Sequence, residues 1–207
     1  MLQTQTTPAA TLELLTKLQS KNYLSGFKLV GGTALAFYWG HRKSIDLDLF
    51  SNESFEAGSL IEQLQQDFQV QVLFTAKNTV KGSINGVNVD FIAHRYPYLH
   101  PPVKTSGITL LSEEDILAMK LNAISTSGQR SKDFIDVYFG LKKHSLPEML
   151  GFYRDKYSQN QTGHVLKSLI YFDDVDQSDW PVMLKETGLT WEKVMQDLES
   201  AVLSINT

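Results

Sequence analysis

The chain contains no cysteine, which excludes disulfide bonds, thiolate zinc sites and cysteine nucleophiles. Long apolar runs are also absent. No run approaches the roughly 20 residues that a transmembrane helix needs, so we expect no membrane partner. Residues 1–15 lack the basic start and the apolar core of a signal peptide. These absences together favour a cytoplasmic location.

Basic residues are slightly outnumbered, because 19 Lys and Arg stand against 23 Asp and Glu. A net charge of −4 argues against a protein that coats nucleic acid non-specifically, since such binding requires many cations. Basic residues are nevertheless frequent between positions 120 and 143, where they can form a local phosphate-binding patch or solvated helix faces. The length of 207 residues suits one domain or two small ones.

Hydrophobic periodicity in the first half predicts a β-turn-α-β unit followed by further strands. A turn signal, Asn-Gly, lies between two alternating segments and is typical of a hairpin. The predicted elements are strands at 27–30, 45–50 and 68–74, a hairpin over 77–93 with its turn at Asn85-Gly86, and helices near 12–18, after Gly32 and near 60–64.

A proline-rich stretch at 96–102 breaks this pattern, and the chain after Leu111 is predicted to be helical. Ser112 and Asp115 indicate a capping box, and Ser131 is expected to cap the next helix. Helices are predicted over 113–126, from 131, and over 146–157, 164–172 and 191–205. The predicted fold class is α+β: a core of residues 1–111, with a mixed β-sheet flanked by helices, and a helical C-terminal region, 112–207, that completes the site.

The segment VGGTALAFYWGHRKSIDLDLF begins at Val30 and places a Gly-Gly turn at the start of a helix. Such a turn lets the backbone approach phosphates closely, and the helix N-terminus adds free N–H groups and positive potential. Gly31 and Gly32 are therefore predicted to form a phosphate turn, with Thr33 donating its hydroxyl or its backbone N–H. A Gly-Gly turn by itself is equally typical of an ordinary tight connection.

Two carboxylates end the same segment. Asp46 and Asp48 share one strand face, while Ile45, Leu47 and Leu49 are expected to point into the core. Asp90 is the natural third ligand if its strand pairs beside this one. Three carboxylates can hold Mg²⁺ ions that activate a hydroxyl and bridge a triphosphate. The alternatives are a solvated edge strand for the pair and a surface or capping role for the third aspartate.

Lys120 shares a helical stripe with apolar residues, so its amine needs an anion or water. We expect contact with a triphosphate or, alternatively, a lysine whose amine extends to solvent. Lys132 is a further candidate for phosphate binding. Asp133 and Asp136 share a helix face, where they can orient the lysine, a base or a metal, or cap the helix. The histidines show no zinc spacing. The cations at 41–43 can meet phosphates or solvate their loop, and the solvated loop is the preferred interpretation.

These residues resemble those of the nucleotidyltransferase-like AbiEii/AbiGii toxin family, within the polymerase-β-type nucleotidyltransferase superfamily. The resemblance rests on GGTALAFYWGHRKSIDLDLF, on KLNA from position 120 and on RSKDFID from position 130, and it covers roughly residues 12 to 141. The superfamily often has Gly-Ser at the turn, where this chain has Gly-Gly-Thr. That departure weakens the inference of phosphate contact without removing it.

The resemblance implies a minimal nucleotidyltransferase fold, NTP as substrate, Mg²⁺ as cofactor and a cognate antitoxin as partner. It implies metal ligation by Asp46 and Asp48, a phosphate turn at 31–33, and a second catalytic cluster of Lys120 and Asp133. Transfer of a nucleotide to RNA, such as tRNA, is likewise implied by the resemblance alone.

Three interpretations follow for function. The first is an active NTP-dependent transferase that acts on RNA or protein. The second is a degenerate module that binds a nucleotide or partner without turnover. The third, a glycosyltransferase that uses Asp-x-Asp to bind a metal and a nucleotide sugar, is disfavoured because its aspartate pair has no need of a preceding glycine turn and helix.

Overall fold

The computed structural model describes residues 2–205. Its strands are β1 (Lys28–Val30), β2 (Leu47–Ser51), β3 (Val70–Ala76), β4 (Thr79–Ile84), β5 (Val87–Ala93), β6 (Val103–Thr105) and β7 (Ile108–Leu110). Its helices are α1 (Ala9–Gln19), α2 (Gly31–Trp39), α3 (Ala57–Asp67), α4 (Glu113–Thr126), α5 (Ser131–Gly140), α6 (Leu146–Tyr157), α7 (Gly163–Leu169) and α8 (Trp191–Leu203). The fold is α+β, as predicted.

The strands form one mixed sheet in the order β3-β4-β5-β2-β1-β7-β6. At its centre β2 runs parallel to β5 and antiparallel to β1. The predicted β4–β5 hairpin is confirmed, and both turn residues have positive φ, 52° at Asn85 and 81° at Gly86, as a type I′ turn requires. The pairing of β2 with β5 places the two aspartate-bearing strands side by side.

Two strands were missed by the prediction from sequence. No element was predicted between the prolines and Leu111, yet β7 pairs parallel to β1, and β6 pairs with β7 at the edge of the sheet. Each strand has three residues, which is too short to show a period of two. The strand conformation of β7 is stabilised by pairing with β1, a long-range contact, and that of β6 by pairing with β7.

The helical part confirms most of the predicted boundaries. Helix α4 occupies 113–126 and α6 occupies 146–157, as expected, whereas α7 ends at Leu169 and α8 at Leu203, a few residues early. Ser131 was expected to cap α5, but it is the first residue of that helix and the cap position is Arg130. No helix within residues 2–205 is long and apolar enough to cross a bilayer.

A buried ion pair joins the helical part to the segment that follows β5. Lys156 Nζ lies 2.6 Å from Asp115 Oδ1, and both side chains are fully buried. The Asp115 carboxylate also accepts the backbone N–H groups of Leu99 and His100 at 3.1 and 3.3 Å. Ser112 caps α4 as predicted, through the Asp115 N–H, but the Asp115 carboxylate faces these partners instead of completing a capping box. The pair thus fixes the proline-rich segment against α4 and α6.

Candidate active site

Two of the three predicted aspartates lie in a row across the sheet, which we call the carboxylate row. Asp48 on β2 lies opposite Asp90 on β5, and Lys81 on β4 lies opposite Asp90 on its other side. The Lys81 amine is 2.7 Å from the Asp90 carboxylate. Asp46 precedes β2 and accepts a hydrogen bond of 3.1 Å from the Asn88 side-chain amide. The expectation that the two strands pair and bring Asp90 beside Asp48 is confirmed.

The strand is shorter than predicted at its start. It begins at Leu47, and Ile45, which was expected to point into the core, is 57% exposed. Leu47 and Leu49 are buried as expected. The preceding residues belong to a loop in which Lys43 N–H donates to the Val182 carbonyl at 2.8 Å, so this stretch pairs outside the sheet.

The three carboxylates do not form a ready-made metal cage. Within residues 2–205, no group of three or more His, Asp or Glu side chains is arranged to hold a metal ion. The donor set nevertheless consists of hard oxygen atoms, which suit Mg²⁺. Burial raises the pKa of Asp48 to about 6; attraction by Lys120 opposes this shift, and repulsion from Asp90 adds to it. A cation at this position would offset both the cost of burying the Asp48 charge and the repulsion between Asp48 and Asp90, so the residues fit such an ion.

Both glycines at the start of α2 are required by close packing. Gly31 has φ 69°, and a Cβ there would lie 2.2 Å from Asp48 Oδ2. A Cβ on Gly32 would lie 2.1 Å from a terminal guanidinium nitrogen of Arg42. The two positions therefore make room for a site carboxylate and for a buried cation. Their predicted contact with phosphate stays a prediction.

We expect Gly31→Ala to lower both activity and stability. The new methyl group would meet the Asp48 carboxylate, and the positive φ disfavours alanine, so the loss of unfolding free energy should be about 1 kcal/mol or more. Gly58→Ala in α3 is the matched control, because a Cβ there has nothing within 4 Å. Thermal unfolding measures the difference. Equal stability of the two variants would contradict the packing argument.

The Thr33 hydroxyl does not have the phosphate-binding role that was one of the two predicted alternatives for this residue. Its side chain is 1% exposed, and its hydroxyl lies 2.5 Å from the Asp46 carbonyl oxygen and 2.8 Å from the Ser44 hydroxyl. The hydroxyl therefore stabilises the loop that carries Asp46 and is not presented to a ligand. The other alternative, a phosphate contact through the Thr33 backbone N–H, stays a prediction.

A buried ionic cluster lies beside the glycine turn; it consists of His41, Arg42, Lys120, Asp133 and Asp136. Asp136 accepts two hydrogen bonds from the Arg42 guanidinium, at 2.8 and 2.9 Å. His41 Nε2 and Lys120 Nζ each lie 2.8 Å from the same carboxylate. Lys120 also donates to Asp133 at 2.6 Å. Every member is less than 9% exposed, so the charged groups of the cluster are compensated mainly by one another and little by solvent.

The cluster overturns the preferred interpretation of the loop at 41–43 and one of the two alternatives for Lys120. His41 and Arg42 were interpreted as part of a solvated loop, but they are 0% and 3% exposed. The Lys120 amine does not extend to solvent; burial opposes its charge, but Asp133 and Asp136 raise its pKa, so it stays cationic. Of the alternatives for the two aspartates, orientation of Lys120 is the one that these contacts support. No local pattern identifies such a cluster, because Arg42 and Asp136 are 94 residues apart.

Two clefts meet at the carboxylates. The sheet-side cleft, about 350 Å³, is lined by Leu73, Phe74, Lys81, Gly82, Asn88 and Asp90. The helix-side cleft, about 230 Å³, includes Gly32, Lys43, Ser44, Lys132 and Asp179. Asp46, Asp48 and Arg130 line both clefts. Two spaces that adjoin the same carboxylates can each hold one of two reacting molecules close to those groups.

Basic groups concentrate on the helix-side cleft. Arg130 stands at the cap position of α5, and Lys132 follows in its first turn, where it pairs with Asp179. The segment that carries Asp179 is fixed to the loop before β2, since the Leu184 N–H donates to the His41 carbonyl at 2.8 Å. The sequence did not single out Arg130, Asn88 or Phe74 as site residues. Only the packing of α5 and the sheet register place them there.

The fold and the site define a class before any particular family. Two crystal structures of Helicobacter pylori proteins are similar to the chain over nearly its whole length. One, provisionally described as a nucleotidyltransferase, has TM-score 0.56 and 16% identity, with 96% of this chain and 95% of that chain covered. The other, JHP933, has TM-score 0.52 and 15% identity, with 96% and 92% covered. The fold is of the nucleotidyltransferase class.

The family follows from the sequence itself. The family model described as nucleotidyl transferase AbiEii toxin, type IV toxin-antitoxin system, matches residues 13–109 and 94–204. The chain therefore belongs to the AbiEii family of nucleotidyltransferase-type toxins, as the resemblance predicted. It is also 33% identical over 188 residues to the uncharacterized protein aq_aa25 of Aquifex aeolicus (strain VF5), with 88% of this chain and 89% of that protein covered.

Proposed function

We propose that the protein is a Mg²⁺-dependent nucleotidyltransferase that transfers NMP from an NTP to an acceptor. The observation that carries this proposal is the row of Asp48 and Asp90 on paired parallel strands, between two clefts that both reach it. Asp46, in the loop just before β2, adds a third carboxylate beside the row. The predicted metal ligands are these three aspartates.

The helix-side cleft is the proposed site of the triphosphate. It brings together the N-terminal turn of α2 and the basic side chains of Lys43, Arg130 and Lys132. Free N–H groups at a helix start and nearby cations are the groups that bind phosphate. Lys132 must exchange its ion pair with Asp179 for a phosphate oxygen, and Asp179 is exposed enough to move aside.

Mg²⁺, when bound by the aspartates, would lower the pKa of an attacking hydroxyl and neutralise charge on the leaving pyrophosphate. The chain's own groups position the substrates. Lys120 keeps a positive charge next to Asp48, and Asp133 holds the Lys120 amine in place. The proposed role of this pair is to set the electrostatic potential at the carboxylate row. Enzymes catalyse phosphoryl transfer mainly by positioning the substrates and by stabilising charge electrostatically.

The remaining assignments rest on the family. RNA, such as tRNA, or a protein is the proposed acceptor, and an antitoxin encoded with the chain is the proposed partner. We also propose that residues 1–111 act as the nucleotidyltransferase core and that 112–207 complete the site, because the helical part supplies Lys120, Arg130 and Asp133.

The test of the proposal is nucleotide transfer. The protein is incubated with each α-labelled NTP, Mg²⁺ and total bacterial RNA, in parallel with Asp46→Ala. We expect label to enter RNA or the protein, and the variant to lose it. Label that enters equally with Asp46→Ala would remove the aspartates from the chemistry.

One observation favours a second candidate, a module that binds without turnover. The Lys81 amine forms an ion pair with the Asp90 carboxylate, which is what we expect in a site that no longer holds a metal. This candidate predicts Mg²⁺-independent NTP binding and no label transfer with any NTP. Lys81→Met distinguishes the two, since removing the competing amine should increase Mg²⁺ affinity only if the aspartates bind the ion.

A further inference from the structure

Leu73 and Phe74 are large apolar side chains that lie exposed beside the carboxylate row. They are 64% and 54% exposed, and both line the sheet-side cleft together with Asp48 and Asp90. In the predicted strand over 68–74, Phe68, Val70, Val72 and Phe74 alternate with Gln69, Gln71 and Leu73, a pattern that predicts a half-buried strand with Phe74 on its buried face. An exposed apolar pair on an edge strand promotes aggregation, so its position next to a polar site calls for a ligand.

A β-bulge accounts for the shared direction of the two side chains. Val72 pairs with Gly82 and Phe74 pairs with Lys81, so Leu73 is the extra residue between two regular pairs. Adjacent side chains on a regular strand point to opposite faces, whereas a bulge redirects a side chain and is frequent next to active sites. Here Leu73, Phe74 and the opposing Lys81 all line the same cleft.

Gly82 makes the bulge possible. A Cβ at this position would lie 2.4 Å from the Gln71 carbonyl oxygen, which is backbone and cannot give way easily. The close approach of β3 to β4 therefore depends on a residue without a side chain.

The sheet register places Phe74 in line with the reacting groups. Phe74 lies opposite Lys81, Lys81 opposite Asp90, and Asp90 opposite Asp48. Three strand spacings separate the backbones at the two ends of this row, about 14 Å. Phe74 and Asp48 both line the sheet-side cleft, so one ligand in that cleft can contact both ends of the row.

We propose that Phe74, supported by Leu73, is the surface on which a nucleobase stacks when its nucleotide reaches the carboxylate row. The inference rests on the proposed function and names a residue that recognises its substrate. An aromatic face next to cations is the arrangement that binds single nucleotides and single strands, and Lys81 and Arg130 supply the cations here. The base belongs either to the incoming NTP or to the terminal nucleotide of an RNA acceptor.

Tryptophan fluorescence tests the stacking without requiring turnover. Phe74→Trp is titrated with each NTP and Mg²⁺, with a short single-stranded RNA, and with inorganic tripolyphosphate, which has no base. The wild type gives the background from Trp39, Trp180 and Trp191. We expect additional, saturable quenching by an NTP, which assigns the base to the incoming nucleotide, or by RNA, which assigns it to the acceptor. Quenching by neither, or equally by tripolyphosphate, would overturn the inference.

Binding of the active probe by Phe74→Ala provides the second measurement. Loss of one stacked base should weaken binding roughly 5- to 100-fold, and Phe74→Tyr should restore most of it. Tyr171→Ala is the matched control, because Tyr171 is an aromatic residue, 52% exposed, that does not line this cleft. Unchanged binding by Phe74→Ala would contradict the proposal.

The outcomes separate this inference from the proposed function. Quenching in Phe74→Trp without label transfer in the wild type would leave base stacking in place and remove the transferase activity. Label transfer in the wild type with no quenching would do the reverse. Light scattering tests the other possible role of an apolar edge strand, which is contact between two copies of the chain. A particle mass that falls in Phe74→Ala, together with no quenching in Phe74→Trp, would assign this face to such a contact and overturn the inference.

Discussion

Asp48→Asn is expected to abolish nucleotide transfer while making the metal-free protein more stable. The loss of activity should be at least about 10²- to 10³-fold, because the variant removes a charge that a bound cation and the transition state both need. Stability should rise because Asp48 carries an unfavourable charge: burial raises its pKa to about 6 from an ordinary value of 3.8.

The direction of the pH dependence of stability follows from how many protons Asp48 binds in the folded and the unfolded chain. Between pH 3.8 and about 6 the folded protein binds more protons at this group than the unfolded chain does, so stability falls as the pH rises through that range. At pH 7 the ionised carboxylate lowers the free energy of unfolding by up to about 3 kcal/mol, whereas the uncharged amide of asparagine carries no such cost. Mg²⁺ should then stabilise the wild type and leave the variant unchanged.

Thermal unfolding with and without Mg²⁺, together with label transfer, measures both effects. Asp155→Asn, an exposed aspartate on α6, is the matched control and should change neither quantity. A variant at position 48 that is less stable, yet still transfers label, would show that this carboxylate has a structural role instead of a catalytic one.

Asp136→Ala should destabilise the protein by about 3 to 5 kcal/mol. The substitution would leave Arg42 buried without its carboxylate and Lys120 with Asp133 as its remaining anion. His41 would lose its hydrogen bond as well. The reason for the large effect is desolvation: buried cations that cannot reach water are costly unless an anion compensates them.

Urea unfolding at neutral pH measures this loss, and its pH dependence identifies the cause. Although burial favours the neutral acid, Arg42 and Lys120 hold the pKa of Asp136 well below 3.8. The contribution of the carboxylate is therefore present above pH 3.8 and lost as the pH falls below it. The gap between wild type and variant should shrink in acid. A neutral-pH loss below 1 kcal/mol would mean that the cluster rearranges to satisfy its cations.

Some site residues could be identified from sequence because their signal is local. Asp46 and Asp48 are two residues apart, just before and within β2, and Asp90 follows the clear Asn85-Gly86 turn of a hairpin. Helix α4 has a polar cap and an acidic first turn at its start. Each pattern reflects backbone geometry within a few residues, so it survives without knowledge of the neighbours.

Other site features had no such signal. The charge of Arg42 says nothing about its burial until Asp136, on a helix 94 residues later, packs beside it. Alternation along β3 predicted the wrong face for Phe74, since the bulge at Leu73 changes the register. Arg130 reaches both clefts because α5 begins there.

The sequence by itself determined the family, the α+β class and the aspartate-bearing strands, because turn chemistry and hydrophobic period are local properties of the chain. Only the tertiary structure decided what surrounds those strands. The buried ionic cluster, the two clefts that share Asp48 and the direction of Phe74 all arise from pairing between distant segments, where desolvation and strand register select partners that no local pattern encodes.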